Sequence, residues 1–266
     1  MSQSALLPLS MTARSDTGRV RAHNEDAVFC DAGKGLAILA DGMGGHQGGA
    51  VAANLLIEQL SASLARADFR KSGVETTLAL HIEAAHQEIR KVSMKNPALK
   101  GMGSTLVAGI FITESLWLAH VGDSRCYLWR DNRLTQLTRD HSLVQESLDQ
   151  GLLTLEDARF FPFRNILVRA MGVEGVAQPT INRYDIRLGD LYLFSSDGLH
   201  EMLEAAEIAR VLRQNAYLPE IASALIDAAN IQGGEDNVSV ILARVENQTQ
   251  RKFHKIRRKP RRARTF

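Results

Sequence analysis

Cysteine is almost missing from this sequence: among 266 residues only Cys30 and Cys126 occur. Each lies inside an apolar stretch, where two buried reduced thiols are expected rather than a disulfide or a metal pair. Proline is scarce as well, and no Pro-, Gly- or Ser-rich stretch offers an interdomain linker. No apolar run is long enough to cross a bilayer. The opening MSQSALLPLS has neither the basic start nor the long apolar core of a secretory leader, so a cytoplasmic protein is expected. What is present is an ordinary globular balance, 45% hydrophobic and 23% charged, sufficient for a large core.

The near-neutral charge of +2 hides an asymmetry. Residues 251–266, RKFHKIRRKPRRARTF, hold nine Lys/Arg and no acidic residue. Removing those nine from the chain's 32 leaves 23 basic against 30 acidic side chains, a balance of −7. A run this basic cannot bury enough apolar surface to fold alone. The expected organisation is one catalytic-size domain over residues 1–248 and a basic, disordered tail over 249–266.

Short apolar or alternating runs predict strands at 27–30, 36–40, 104–112, 115–121, 125–129, 190–196 and 237–245. Amphipathic periodicity predicts helices over 48–66 and 73–94, with a third helical region over 203–230 in one or two pieces. Strands come in runs with helices grouped between them, which points to antiparallel sheets with helices outside, not to βαβ alternation.

The acidic residues recur in one arrangement. An apolar strand runs into an Asp beside a Gly in LAILADGMGGH (Asp41, Gly42), LAHVGDSR (Gly122, Asp123) and LYLFSSDG (Asp197, Gly198). GGEDNVSVIL sets Glu235 and Asp236 just before a strand, and HNEDAVF does the same with Glu25 and Asp26. Taken singly, each is an ordinary turn or cap. Taken together, they deliver carboxylates to one end of a sheet, where mutual repulsion calls for a cation. The donors are almost all oxygen, which suits Mg²⁺ or Mn²⁺.

The strings TGRVRAHNEDAV, LAILADGMGGHQGG, GMGSTLVAGIF, LWLAHVGDSRCYLWR, LTRDHSLVQ, RNILVRAMG, GDLYLFSSDGL and GGEDNVSVIL, in this order, resemble the metal-dependent protein phosphatase family, the protein phosphatase 2C-like enzymes, in its bacterial branch. They span roughly residues 11 to 245. The resemblance implies an α+β fold, a four-layer α-β-β-α sandwich of two antiparallel sheets flanked by helices. It implies a protein serine/threonine phosphatase using two Mn²⁺ or Mg²⁺ ions, with a third ion in some members. In that scheme Asp41 bridges the two ions, Gly42 offers its backbone carbonyl, and Asp197 and Asp236 bind one ion. Glu25 or Asp26 ligates directly or through water, and Asp123, sharing Asp197, takes the third ion. Two ions about 3.5–4 Å apart activate a water that attacks phosphorus in line, with no phospho-enzyme. Arg21, in the RxxNED string, would hold two phosphate oxygens with its planar guanidinium. For the proton needed by the leaving alkoxide, His46 is a candidate, with a metal-held water or a structural role for His46 as alternatives. Asp140 either supports a flap or caps the helix that follows it.

This chain departs from the bacterial pattern at Ala50, Phe161 and Val168, where Glu, His and Thr are common. None of these is a metal ligand. Residues 139–165 correspond to a flap beside the cleft, which Phe160, Phe161 and Phe163 make unusually aromatic. Packing against the body is the expectation, and a hydrophobic docking surface the alternative. The rival to an active enzyme is a regulatory or scaffold relative with a polyanion-binding tail, which the retained Asp41, Asp197 and Asp236 oppose. The tail could contact nucleic acid, anionic lipid or acidic proteins in a salt-dependent way. The implied partners are phosphorylated proteins and a cognate Ser/Thr kinase, and the implied state is a monomer.

Overall fold

Strands buried on both faces need apolar residues at every position, and the longest apolar runs of this chain form the centres of two sheets. A computed structural model describes residues 9–44, 48–158, 160–214 and 217–246. The strands are β1 (Leu9–Asp16), β2 (Asp26–Asp31), β3 (Leu36–Met43), β4 (Gly103–Ser104), β5 (Leu106–Ile112), β6 (Ser115–Val121), β7 (Arg125–Arg130), β8 (Arg133–Gln136), β9 (Thr180–Asp185), β10 (Leu191–Ser195) and β11 (Val238–Val245). The helices are α1 (Gly48–Leu64), α2 (Phe69–Ser72), α3 (Val74–Lys95), α4 (Leu143–Asp149), α5 (Leu155–Ala158), α6 (Asp197–His200), α7 (Ala205–Leu212) and α8 (Leu218–Ile231).

One sheet has the order β1-β11-β10-β7-β8, the other β2-β3-β5-β6-β9, with β4 pairing β3. Every strand pair is antiparallel. Alternation decides the layers. Along β3, Ala37 and Leu39 enter the core between the sheets, while Ile38 and Ala40 pack outward against Leu56 and Leu60 of α1 and Ile82 of α3. Along β11, Ile241 and Ala243 face the intersheet core with Phe111, Tyr192 and Phe194, while Val240 and Leu242 meet Ile221 and Leu225 of α8. Helix, sheet, sheet, helix is the four-layer sandwich.

The predicted strands and long helices are present within a few residues. β1, β8 and β9 were not predicted: β1 and β9 lie at sheet edges with half-exposed polar residues, and β8 is short. Cys126 is buried and Cys30 half-buried, and both are free thiols. No described helix is long and apolar enough to cross a membrane. The predicted tail lies outside the described residues.

Candidate metal centre

Acidic residues from two different sheets reach one cleft, Asp41 from one and Asp197 and Asp236 from the other, with Asp26 buried beside Asp41. In the β2–β3 hairpin, Asp26 stands directly opposite Asp41. From the other sheet, β10 ends at Ser195, and Asp197 opens α6 two residues later; Asp236 lies just before β11. One buried hydroxyl stitches these halves together. Ser196 Oγ donates to Asp26 Oδ2 (2.8 Å) and accepts from Ser239 N (2.9 Å).

The cleft, about 750 Å³, is lined by Glu25, Asp41, Asp123, Asp197 and Asp236 and by Asn165, Leu167, Val168 and Val173. Arg21 stands at the rim, half-exposed, its Nη2 2.7 Å from Asp236 Oδ2. Burial, then the charges of Asp197, Asp26 and Asp123, pushes Asp41 well above the usual carboxylate range. Burial, then Asp123, Glu201 and Asp236, does the same to Asp197. Burial raises Asp26 to about 6, and burial with the nearby Asp140 raises Asp123 to about 6.

Carboxylates this crowded hold their charge only beside a cation. Two further observations fit a hard ion. Asp26 Oδ1 is buried without a hydrogen-bond partner. Gly49 brings its bare Cα up to Gly42, leaving the Gly42 carbonyl and Glu25 Oε2 in the space a Cβ would fill. The donor set is all oxygen, as Mn²⁺ and Mg²⁺ prefer. No three acidic, His or Cys groups among the described residues already close around one point. The shared cleft and the mutual charge effects among these carboxylates carry the assignment of a metal centre.

The structure therefore brings together Arg21, Glu25, Asp26, Asp41, Gly42, Asp123, Asp197 and Asp236. His46 lies outside the described residues. Asp140 does not cap α4, whose N-cap is Ser142 accepting from Gln145 N. It grips Arg125 instead, with Nε at 3.0 and 3.1 Å and Nη2 at 2.6 Å, and this part-buried pair ties the root of the 139–165 segment to β7. The expected packing of the flap aromatics is not found. Phe160 is 86% and Phe163 53% exposed, with Phe161 edge-on to Phe163.

Sequence reasoning missed three residues. Asn237 Oδ1 accepts from Glu25 N (2.7 Å), while its Nδ2 donates to Thr17 O and His23 O, both 2.9 Å. It clasps the loop bearing Arg21 and Glu25 to the start of β11. Its only sequence signal was the Asp-Asn pair, read as a turn. His23 and Thr105 also line the cleft, and neither residue type announced itself.

An all-β core with helices outside, and a carboxylate cleft at the seam of two sheets, define the class as a metal-dependent hydrolase. The Protein phosphatase 2C family profile matches residues 17–229, and the chain belongs to that family. It is 41% identical to the "Serine/threonine phosphatase stp" of Listeria innocua over 234 residues, 86% of this chain and 93% of that protein. It is 42% identical to the "Serine/threonine protein phosphatase PstP" of Mycobacterium tuberculosis over 244 residues, 90% of this chain but only 45% of that longer protein. The solved catalytic domain of the serine/threonine protein phosphatase PstP, in complex with two manganese ions, superposes with a TM-score of 0.81 at 39% identity, covering 90% of this chain and 99% of that one.

Proposed function

We propose that this chain is a metal-dependent protein serine/threonine phosphatase. The observation that carries it is the meeting of Asp26 and Asp41 from one sheet with Asp197 and Asp236 from the other, beneath Arg21. Asp41, Asp197 and Asp236 would hold the core ions with the Gly42 carbonyl. Glu25 and Asp26 would support them, and Asp123 with Asp197 would take a third. When bound, the ions supply charge for the phosphoryl oxygens and acidify water near neutral pH. Arg21, held by Asp236 at the rim, is placed to turn its free guanidinium edge to the phosphate. Leu167, Val168 and Val173 add apolar surface to the lining of the cleft.

The test is hydrolysis of p-nitrophenyl phosphate and a phosphothreonine peptide by metal-stripped protein, with and without Mn²⁺ or Mg²⁺. Metal-dependent turnover of both is expected. Folded protein inactive with either ion would instead favour the scaffold alternative.

The physiological partners proposed are phosphoproteins written by a cognate Ser/Thr kinase, in the cytoplasm. The basic tail is an accessory to this chemistry. Deleting residues 251–266 is expected to leave p-nitrophenyl phosphate turnover unchanged, and a large loss in a steady-state assay would place the tail in the fold. The exposed Phe160 and Phe163 favour the docking role for the flap, since their surface sits beside Asn165, which lines both the cleft and the aromatic hollow. Phe160→Ser with Phe163→Ser should raise KM for a phosphopeptide with apolar flanks about tenfold, from partial loss of aromatic burial. The small aryl phosphate should not respond, and equal KM values for peptide and variant pairs would remove the docking role.

A further inference from the structure

One side chain joins the two ends of the carboxylate cleft. Thr105 sits between β4 and β5 and is 3% exposed. Its backbone N donates to Asp41 O at 2.8 Å. Its Oγ1 accepts from Asp41 N at 3.1 Å. That bond occupies one lone pair of the hydroxyl and leaves its hydrogen and second lone pair for another partner. Ser124 Oγ lies 2.6 Å away in a buried environment, so the two hydroxyls share a hydrogen bond in which either can donate. The third substituent is equally placed. Gly122 has φ +98, and a Cβ built on it would lie 2.8 Å from Thr105 Cγ2. The methyl thus packs on the bare Cα of Gly122. Asp123 stands between Gly122 and Ser124, so Thr105 grips the residue on each side of it. The opposite side of this turn is fixed by His141, whose N donates to Gly122 O (2.9 Å) and whose Nδ1 accepts from Gly122 N (3.2 Å).

We propose that Thr105 is a positioning residue that sets Asp123 relative to Asp41, and so fixes where a cation held by Asp123 sits against the ions held by Asp41. The proposal rests on the assignment of Asp41 and Asp123 as metal ligands under the proposed function. It places the positioning in the hydroxyl, which reaches both Asp41 N and Ser124, with the methyl adding only packing on Gly122. Partners that orient a metal ligand typically matter by about 10–100-fold in metal affinity or activity.

The test is a double-mutant cycle of Thr105→Val and Asp123→Asn, with Thr105→Ser as the conservative control. Two quantities are read: Mn²⁺ binding to metal-stripped protein by calorimetry, and the Mn²⁺ concentration giving half-maximal p-nitrophenyl phosphate turnover. Thr105→Val keeps the shape and deletes the hydroxyl, so it should fold normally by circular dichroism and need about tenfold or more Mn²⁺ for half-maximal rate. Thr105→Ser should recover most of that loss. In the Asp123→Asn background, Thr105→Val should add little, because the ligand it positions has already been removed. Fully additive losses would overturn the coupling, and so would a Thr105→Val protein with wild-type Mn²⁺ binding and metal dependence. Equal loss in the valine and serine variants with a lowered Tm would reduce Thr105 to packing. If wild type itself neither binds Mn²⁺ nor turns over, the phosphatase assignment fails and this proposal falls with it. If wild type does both, the cycle judges Thr105 alone.

Discussion

Asp197→Ala is expected to lower Mn²⁺-dependent hydrolysis of p-nitrophenyl phosphate by at least about 10³-fold, because several kcal/mol of charge stabilisation depends on the ions it holds. Asp197 is the carboxylate that the core site and the third site would share, and Asp123, Asp236 and Asp26 all act on it. Asp197→Asn should fall as far, since it keeps the shape and loses the charge. The same substitutions carry a second expectation. In metal-stripped protein, Asp197 is a buried acid among like charges, and removing it relieves their repulsion. Tm of the metal-free variants should equal or exceed that of wild type, a gain that residues serving function rather than stability commonly give. A variant that loses activity and Tm together would mean that Asp197 mainly supports the fold. A variant that keeps its metal-dependent rate would remove Asp197 from the centre.

Gly42→Ala is expected to be among the most damaging single-methyl substitutions at the described residues. A methyl group there would overlap the backbone carbonyl of Gly49 and crowd the carbonyl of Glu25. Both obstacles are backbone, so no rotamer change relieves them. Moving either one shifts the first turn of α1 or the loop bearing Glu25. Overpacking against fixed backbone costs about 3 kcal/mol or more, which for a domain of this size lowers Tm by on the order of 10 °C. Thermal melting checks the stability. Mn²⁺ titration of the surviving folded protein checks the site, where the half-saturation should rise with the displaced Gly42 carbonyl. A Gly42→Ala protein that melts and titrates like wild type would show that α1 can retreat freely.

These two residues also show what the sequence could and could not reveal. Gly42 was legible as a glycine beside a candidate ligand, and a tight turn was the natural reason. The actual reason is space: β3 runs straight through Gly42, and α1 arrives from a later stretch of chain to pack on it. Asp41, Asp123, Asp197 and Asp236 were legible because each ends or begins an apolar strand, a pattern local enough to read in ten residues. Asn237 was not, because the partners that reveal its role, Thr17, His23 and Glu25, lie more than two hundred positions away. Strands β3, β10 and β11 announce themselves because helices cover their outer faces, which are almost wholly apolar, Ser195 and Arg244 coming only at the strand ends. Edge strand β9, TINRYD, carries mostly polar side chains and looks like a loop until β6 pairs with it. The sandwich as a whole came from resemblance, since alternation gives the faces of a strand but not which sheet it joins. The flap aromatics were expected to follow the usual rule of burial, and Phe160 does not.

The bond from Ser196 to Asp26 crosses from one sheet to the other, and neither sheet alone carries all of the proposed ligands. A partly folded chain with either sheet formed alone has no catalytic power at all, however native its strands. Recovered turnover during refolding is therefore a clock for the final docking of the sheets. Docking the sheets also drives the acids together, so a cation bound there would brace the seam between them.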